Sequence, residues 1–330
     1  MIRLPVFEFY APSTIDEAVA LKVEHGVDAM FLAGGTDLLP NMKRRQFEPK
    51  VIIGLRNLHE LQGISNGVGM TIGAGVTLSQ LENHPAIRKN YSALAHAAGL
   101  VSTPQLRNSG TIGGNLCLDT RCTYYNQSHS WRKALGFCMK KDGDTCWVAL
   151  GSQKCLAVSS SDCAPVAVAL GAEVRLVGPE GERTIPAKEL YRNDGMEYLE
   201  KGRDELLVSI QLPDLTGWQT SYWKLRRRGS IDFPILGVAV ALRLNEDGTC
   251  EEARLVLGAV SSKPLLISEA SEMLIGQRIN QLLMKQVAEV AAKFAKPLDN
   301  TDMALSYRKK ITRVYVQRAL AEAVGLSATN

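Results

Sequence analysis

The chain has 330 residues, of which 45% are hydrophobic and 22% are charged, and its formal net charge is +4. This composition is typical of a globular protein with two or three domains, and the small charge, without a basic stripe interleaved with aromatic residues, argues against a nucleic-acid partner. No apolar run is long enough to span a bilayer and the first residues lack the pattern of a secretory signal, so we expect a cytoplasmic protein with no membrane partner.

The first segment alternates helix and strand signals. Thr14 with Glu17 forms a capping box at the start of an apolar-periodic stretch, which predicts a helix. Two short apolar runs, 29–32 and 51–54, favour buried strands. We place the end of this first unit near residue 55.

The middle segment carries turn signals between short strand-like runs. Asn66-Gly67 indicates a hairpin turn, and Thr77 with Gln80 begins another helix. Residues 119–160 then change character, being polar and cysteine-rich with little clean periodicity. Because this stretch is long for a loop inside a compact domain, it indicates a functional segment or a metal core of its own.

The last segment begins near residue 216. Three runs favour strands, at 221–226, 235–243 and 252–260, and the residues after Pro264 are helical in pattern to the end. The sequence therefore predicts strands and helices in one α+β arrangement, with a three-stranded sheet and helices in the last segment.

Two loops rich in small residues, 32–37 and 110–115, have the composition of a phosphate-binding loop. Glycine permits positive φ and a close approach of the backbone, so that consecutive N–H groups can face one anion, and a threonine in each loop adds a hydroxyl donor. For either loop alone, a simple tight turn remains the alternative. Neither is a Rossmann fingerprint; the segment 73–78 comes closest, but it has leucine in place of the third glycine.

Three motifs in a fixed order extend this interpretation over nearly the whole chain. Leu32-Ala-Gly-Gly-Thr-Asp-Leu-Leu-Pro40, Thr111-Ile-Gly-Gly-Asn115 and Tyr222-Trp-Lys-Leu-Arg-Arg227 resemble the FAD subunits of the xanthine oxidase and carbon monoxide dehydrogenase family. The resemblance implies an FAD-binding domain of the vanillyl-alcohol-oxidase (PCMH) type in two subdomains, 1–55 and 56–215. A C-terminal α+β domain similar to that of CO dehydrogenase flavoproteins would follow at 216–330.

The resemblance also implies which residues hold FAD, and it implies no catalytic side chain on this chain. The residues that would wrap the pyrophosphate are Ala33, Gly34, Gly35, Thr36 and Asp37, and those holding the phosphates and ribose from the other side are Thr111, Gly114 and Asn115. Asp162 matches a carboxylate that bonds the ribose or adenosine part, and Leu207 matches an apolar residue beside the flavin. Lys224 matches a lysine near the flavin N1/C2=O edge, where a positive charge stabilises reduced flavin. The alternatives are a core leucine and a solvated strand lysine.

A cysteine-rich stretch separates Asn115 from Asp162, where the family has a short loop; residues 119–160 are called the insert below. Six of the seven cysteines lie between positions 117 and 163, and those inside the insert are Cys122, Cys138, Cys146 and Cys155. Four thiolates suit an iron–sulfur cluster or zinc, and a metal centre would order a segment that has few large apolar residues. Four isolated buried thiols are the alternative.

The insert resembles that of the β subunits of 4-hydroxybenzoyl-CoA reductases, in which four cysteines ligate a [4Fe–4S] cluster. This resemblance implies an FAD and [4Fe–4S] electron-transfer subunit of a heteromeric molybdenum enzyme that removes a phenolic hydroxyl in anaerobic aromatic degradation. Ferredoxin would donate the electrons. A large molybdopterin-binding subunit and a small [2Fe–2S] subunit would complete a dimer of heterotrimers.

Two alternatives remain for the function. One is the FAD subunit of an ordinary molybdenum hydroxylase, and the other is a binding module stabilised by structural zinc. Because the insert interrupts the FAD motifs rather than forming them, we expect the FAD site to survive loss of the metal.

Overall fold

The computed structural model describes residues 3–326, which form three β-sheets with flanking helices. The strands are β1 (Glu8–Tyr10), β2 (Ala29–Leu32), β3 (Val51–Gly54), β4 (Ile64–Gly67), β5 (Gly69–Gly73), β6 (Glu173–Gly178), β7 (Gly181–Pro186), β8 (Leu206–Leu212), β9 (Trp218–Leu225), β10 (Leu236–Leu244), β11 (Cys250–Gly258) and β12 (Leu265–Leu266). The helices are α1 (Ile15–His25), α2 (Leu38–Lys43), α3 (Leu78–Asn83), α4 (Pro85–Asn90), α5 (Ser92–Gly99), α6 (Pro104–Arg107), α7 (Ile112–Leu116), α8 (His129–Ala134), α9 (Cys163–Ala169), α10 (Ser268–Glu272), α11 (Gln281–Phe294) and α12 (Leu305–Ala323). The α+β class predicted from the sequence is confirmed.

The first sheet is parallel, with the order β1-β3-β2, and α1 packs against it. Thr14 caps α1 as predicted, its hydroxyl oxygen accepting a hydrogen bond from the Glu17 N–H. Leu32 at the end of β2 pairs with Gly54 at the end of β3. The loop that follows β2 therefore leaves the sheet at the carboxyl edge of its strands, which is where parallel sheets bind ligands.

The second sheet is antiparallel, in the order β4-β5-β8-β6-β7. Its strands come from both sides of the insert, because β4 and β5 precede it and β6, β7 and β8 follow it. The first hairpin is shifted from the expected place: Gly67 pairs with Gly69 and Val68 forms the tip. Gly69 has φ +87°, and a Cβ there would collide with the Leu212 carbonyl oxygen, so the second glycine of this turn is required.

The third sheet is antiparallel, in the order β12-β11-β10-β9. The three predicted strands are present, and the two-residue strand β12 is added at one edge. Helices α10 and α12 pack against this sheet, which also contacts α5 and α9 from the preceding part of the chain. The prediction of helix from Pro264 onward is wrong for β12, for 273–280 and for 295–304, which lie outside α10, α11 and α12. No helix within residues 3–326 combines the length and apolarity needed to cross a membrane.

The insert lies between α7 and α9, and its two ends are hydrogen-bonded to each other. Arg121 and Val158 exchange both backbone hydrogen bonds, at 2.8 and 2.7 Å, which joins its two ends. Within the insert only α8 is a helix; the rest consists of turns, bends, isolated β-bridges and irregular segments. Its buried residues form a small cluster of their own, comprising Cys122, Tyr125, Cys138, Cys155 and Ala157. The segment thus has a separate core, as its composition predicts.

Candidate functional site

The two glycine loops meet each other in the folded chain. A Cβ on Gly34 would collide with the Ser109 carbonyl oxygen and lie 2.9 Å from the Gly110 nitrogen. Thr36 reaches the same place, because its Oγ1 is 3.4 Å from the Cβ position of Gly110. The loops lie about seventy positions apart in sequence, so the tertiary fold makes one glycine-lined surface from two turns that would be unremarkable alone.

Each loop keeps its backbone approachable for a different reason. Gly35 has φ +72°, which side chains rarely adopt, and Asp37 then starts α2. In the second loop Thr111 caps α7, its Oγ1 accepting a hydrogen bond of 3.1 Å from the Gly114 N–H. The Thr111 hydroxyl hydrogen is then left to donate elsewhere. Both loops have the glycine backbone and hydroxyl donors that a pyrophosphate requires, so the residues present fit FAD.

Two of the predicted FAD ligands also hold the ends of the insert. Asp37 forms an ion pair with Arg121 and accepts a hydrogen bond of 3.1 Å from Asn41 Nδ2. Asn115 Oδ1 accepts from Ser161 Oγ at 2.7 Å and from the Cys163 N–H at 3.1 Å. An ionised carboxylate has no hydrogen to donate, so the Asp37 side chain cannot itself bond a phosphate oxygen.

Asp162 and Lys224 form a buried ion pair with a tyrosine. Lys224 Nζ donates to Asp162 Oδ2 at 2.8 Å and to the Leu100 carbonyl oxygen at 2.9 Å, and the Tyr222 hydroxyl donates to Asp162 Oδ1 at 2.8 Å. Burial raises the pKa of the Asp162 carboxyl, and Lys224 and Tyr222 oppose that rise. Because the two side chains touch, they cannot contact opposite ends of an FAD molecule as the resemblance implied. Tyr222 belongs to the motif at 222–227, but no local pattern in the sequence predicts its hydrogen bond to Asp162.

Two further predicted residues pack against hydrophobic cores. Ala33 is partly buried against the core of the first sheet. Leu207 lies on β8, is 4% exposed and belongs to the hydrophobic core of the second sheet. The alternative of a core leucine therefore fits its position.

The four cysteines of the insert surround one small cavity, although they are spread over 34 positions of sequence. The cavity is lined by Cys122, Tyr124, Tyr125, Cys138, Met139, Lys140, Cys146, Trp147, Val148, Cys155 and Ala157. Each of the four thiols is at most 8% exposed. The remaining three cysteines, Cys117, Cys163 and Cys250, do not line it. All seven are free thiols.

Two opposing effects act on the thiolates of the insert. Burial raises the pKa of the Cys122 thiol to about 11 and that of Cys155 to about 12, while backbone N–H groups of Tyr124, Tyr125 and Ala157 favour the thiolates. A metal that binds the thiolates would remove this burial penalty. Gly195 packs against Cys155, since a Cβ there would lie 2.7 Å from Sγ. The sequence offered no signal for this contact.

Four cysteine thiolates can bind either a single zinc ion or an iron–sulfur cluster. Within residues 3–326, no three His, Cys, Asp or Glu side chains converge closely enough to hold a single ion. A tetrahedral zinc site needs sulfur atoms about 3.8 Å apart, given a Zn–S bond of about 2.3 Å. The thiolates of a cubane cluster lie farther apart, because each binds a different iron. Cys122, Cys138, Cys146 and Cys155 line one cavity, and four thiolates are the ligand set that a cubane cluster requires.

Lys140 places a buried positive charge beside this cavity. Its Nζ donates to Asp119 Oδ1 at 2.7 Å and to the Gly195 carbonyl oxygen at 2.6 Å, and it lies 4.8 Å from the centre of the Tyr125 ring. The Lys140 side chain is only 5% exposed. Sequence reasoning missed this residue, because a single lysine in a polar insert has no distinguishing pattern.

Two consecutive ranges of the chain match known protein families. Residues 5–215 match the family described as FAD binding domain in molybdopterin dehydrogenase, and residues 220–323 match the CO dehydrogenase flavoprotein C-terminal domain. The carbon monoxide dehydrogenase medium chain of Hydrogenophaga pseudoflava is 30% identical over 320 residues, covering 96% of each chain. The nicotinate dehydrogenase FAD-subunit of Eubacterium barkeri is 28% identical, covering 92% of this chain and 91% of that one. A solved structure of the Hydrogenophaga carbon monoxide dehydrogenase superimposes with a TM-score of 0.81 at 28% identity, over 98% of this chain and 99% of that chain.

Proposed function

Because this chain belongs to the FAD-binding medium subunits of the xanthine oxidase and carbon monoxide dehydrogenase family, we propose that it transfers electrons between an iron–sulfur cluster in its insert and a molybdenum site on a partner subunit. The observation that carries the proposal is the cavity formed by the four insert cysteines. The FAD part is common to the family. The cluster distinguishes this chain's proposed role from a plain FAD subunit.

FAD, when bound, accepts and donates one or two electrons. This chain's residues would position it. The backbone N–H groups of the Gly34 and Gly114 loops would hold the pyrophosphate, with the Thr36 and Thr111 hydroxyls donating. Arg121 neutralises Asp37, so the loop presents no net negative charge to the phosphates. The Lys224 side chain is 1% exposed and paired with Asp162, and we propose that its positive charge acts on the flavin from this buried position.

Iron and FAD analysis of the purified enzyme tests the cluster. Cys138→Ser should remove the iron of the insert's cluster and leave only the iron of the partner [2Fe–2S] subunit, and Cys122→Ser, Cys146→Ser and Cys155→Ser should do the same. Cys250→Ser is the matched control, because Cys250 is equally buried but lies in β11, and its iron content should be unchanged. Zinc in place of iron, or full iron content in Cys138→Ser, would overturn the proposal.

Two observations favour different partner reactions. The named relatives are dehydrogenases, which supports an ordinary molybdenum hydroxylase that passes electrons outward through FAD. The resemblance of the insert to that of 4-hydroxybenzoyl-CoA reductase β subunits supports the reverse direction, in which ferredoxin reduces the cluster and electrons reach a molybdenum site that dehydroxylates 4-hydroxybenzoyl-CoA. We propose the reductase as the finer function, and the hydroxylase as its alternative.

The direction of electron flow is measured with the complete enzyme. Reduced ferredoxin with 4-hydroxybenzoyl-CoA should yield benzoyl-CoA, and Cys138→Ser should abolish that activity. Turnover that requires an oxidising acceptor, and that persists in Cys138→Ser, would instead establish the hydroxylase. A large molybdopterin subunit and a small [2Fe–2S] subunit would accompany the chain in either case. The cytoplasmic location, the domain boundaries and the dimer of heterotrimers stay predictions.

A further inference from the structure

The segment 37–46, which contains α2, contacts the insert at three places. It begins at the last residue of the first glycine loop, so it is directly connected to the proposed pyrophosphate site. The contacts are an ion pair between Asp37 and Arg121, a hydrogen bond of 2.6 Å from Gln46 Nε2 to the Tyr125 carbonyl oxygen, and hydrogen bonds of 3.0 Å from Arg132 Nη2 to the carbonyl oxygens of Arg44 and Arg45. The expectation that the FAD site is independent of the insert does not fit these contacts.

Arg121 occupies the central position among them. It directly precedes Cys122, and its backbone closes the insert through Val158. Its guanidinium pairs with Asp37 and lies 4.4 Å from the centre of the Phe233 ring, and its side chain is 11% exposed. One residue therefore joins the start of the cysteine ring to the start of α2.

We propose that Arg121 couples the two cofactor sites, so that the cluster and FAD each strengthen binding of the other. This inference rests on the proposed cluster. When the cysteines bind no metal, the small core of the insert loses the interaction that orders it, and Arg121 is no longer held beside Asp37. The Asp37 carboxylate is then left unneutralised next to the anionic pyrophosphate, and like charges repel. FAD affinity falls in consequence.

Thermodynamic linkage makes the effect reciprocal. If the cluster changes FAD affinity by some factor, FAD must change the cluster's affinity by the same factor. Bound FAD would hold the loop and Asp37 in place, and Asp37 would hold Arg121 next to Cys122. Iron should therefore leave the FAD-loaded protein more slowly than the FAD-depleted protein.

The test measures FAD dissociation constants for four forms of the purified enzyme complex: wild type, Cys138→Ser, Arg121→Met and the double variant. FAD is removed and then titrated back. Cys138→Ser should weaken FAD binding about 5- to 150-fold, the usual range of coupling between sites. In the Arg121→Met background, the same Cys138→Ser change should alter FAD binding by less than about twofold, because the connection is already lost.

Arg107→Met is the matched control. Arg107 pairs with Glu82 at side-chain exposures of 11% and 32%, nearly equal to the 11% and 30% of Arg121 and Asp37, and this pair does not contact the insert. In the Arg107→Met background, Cys138→Ser should still weaken FAD binding by the wild-type factor. Arg121→Lys retains the charge and should keep part of the coupling, which separates charge loss from misfolding.

Each outcome is decisive. If Cys138→Ser leaves FAD affinity of the wild type unchanged although iron is lost, the sites are not coupled. If Cys138→Ser weakens FAD binding equally with and without Arg121, the coupling does not pass through this residue. An enzyme whose iron content, before any substitution, equals that of the partner [2Fe–2S] subunit alone would instead refute the proposed function.

Discussion

At the scale of single residues, two buried lysines carry positive charge at the two proposed cofactor sites. Lys140 lies inside the insert, paired with Asp119, and Lys224 lies in β9, paired with Asp162. Both side chains are at most 5% exposed. A charge in such surroundings acts strongly on its neighbours, because little water screens it.

Lys140 should set the reduction potential of the cluster. A cluster bound by four thiolates is an anion that gains further negative charge on reduction, so a nearby cation favours the reduced form. Lys140→Met should lower the potential, as measured by a redox titration of the cluster's paramagnetic signal.

Lys154→Met is the control for Lys140, because Lys154 is an exposed lysine of the same insert. Water and salt screen its charge, so the potential should move little. The double variant Lys140→Met with Asp119→Asn removes both charges of the pair and should recover part of the shift. Equal potentials in wild type and Lys140→Met would show that the cluster does not respond to this charge.

Lys224→Met should destabilise the protein by about 3–5 kcal/mol, because it leaves the buried Asp162 carboxylate without its counter-charge. Replacing both partners, by Lys224→Met with Asp162→Leu, removes that unpaired charge and should cost less. The thermal unfolding midpoint of the two variants gives the comparison. A double variant that is less stable than Lys224→Met would contradict the argument.

At the scale of elements, the contact between the two glycine loops decides whether FAD has a site. Gly34→Ala forces a methyl group into the Ser109 carbonyl oxygen, so the loops must separate and FAD content should fall at least about tenfold, the effect of about 1.4 kcal/mol. Gly67→Ala is the control, since a Cβ there meets nothing within 4 Å. Equal FAD content in Gly34→Ala and Gly67→Ala would refute the role of the contact.

The segment 73–78 resembles a Rossmann fingerprint, but close packing of the chain explains its first glycine without a cofactor. A Cβ on Gly73 would collide with the Leu61 carbonyl oxygen, and one on Gly113 would lie 2.6 Å from the Ala74 Cβ. These glycines allow β5 to pass close to its neighbours. A substitution at Gly73 would thus disturb the packing of β5 against Leu61.

At the scale of the whole molecule, the chain's proposed work requires other subunits. Electrons must enter at one surface and leave at another, and the substrate chemistry lies on a partner. Native mass measurement of the purified enzyme should show three different polypeptides in equal amounts, with a total mass of two such sets. A monomeric chain that completes full substrate turnover alone would exclude this organisation.

The sequence by itself determined the features that depend on neighbours along the chain. The Thr77–Gln80 capping box forms as predicted, and both strands of the first apolar runs are present. The family resemblance and the two glycine loops were also legible, because each motif is a short local pattern. The insert was recognisable by its composition alone.

Only the tertiary structure decided which distant groups meet. Arg121 lies 84 positions from Asp37, and Lys224 lies 62 positions from Asp162, so no local pattern could join either pair. The same holds for Lys140 and Asp119, which lie 21 positions apart. Local signals fix how a segment folds, because backbone geometry and capping act over a few residues. The partners of a buried charge depend on chain packing, which brings together residues that the sequence leaves far apart.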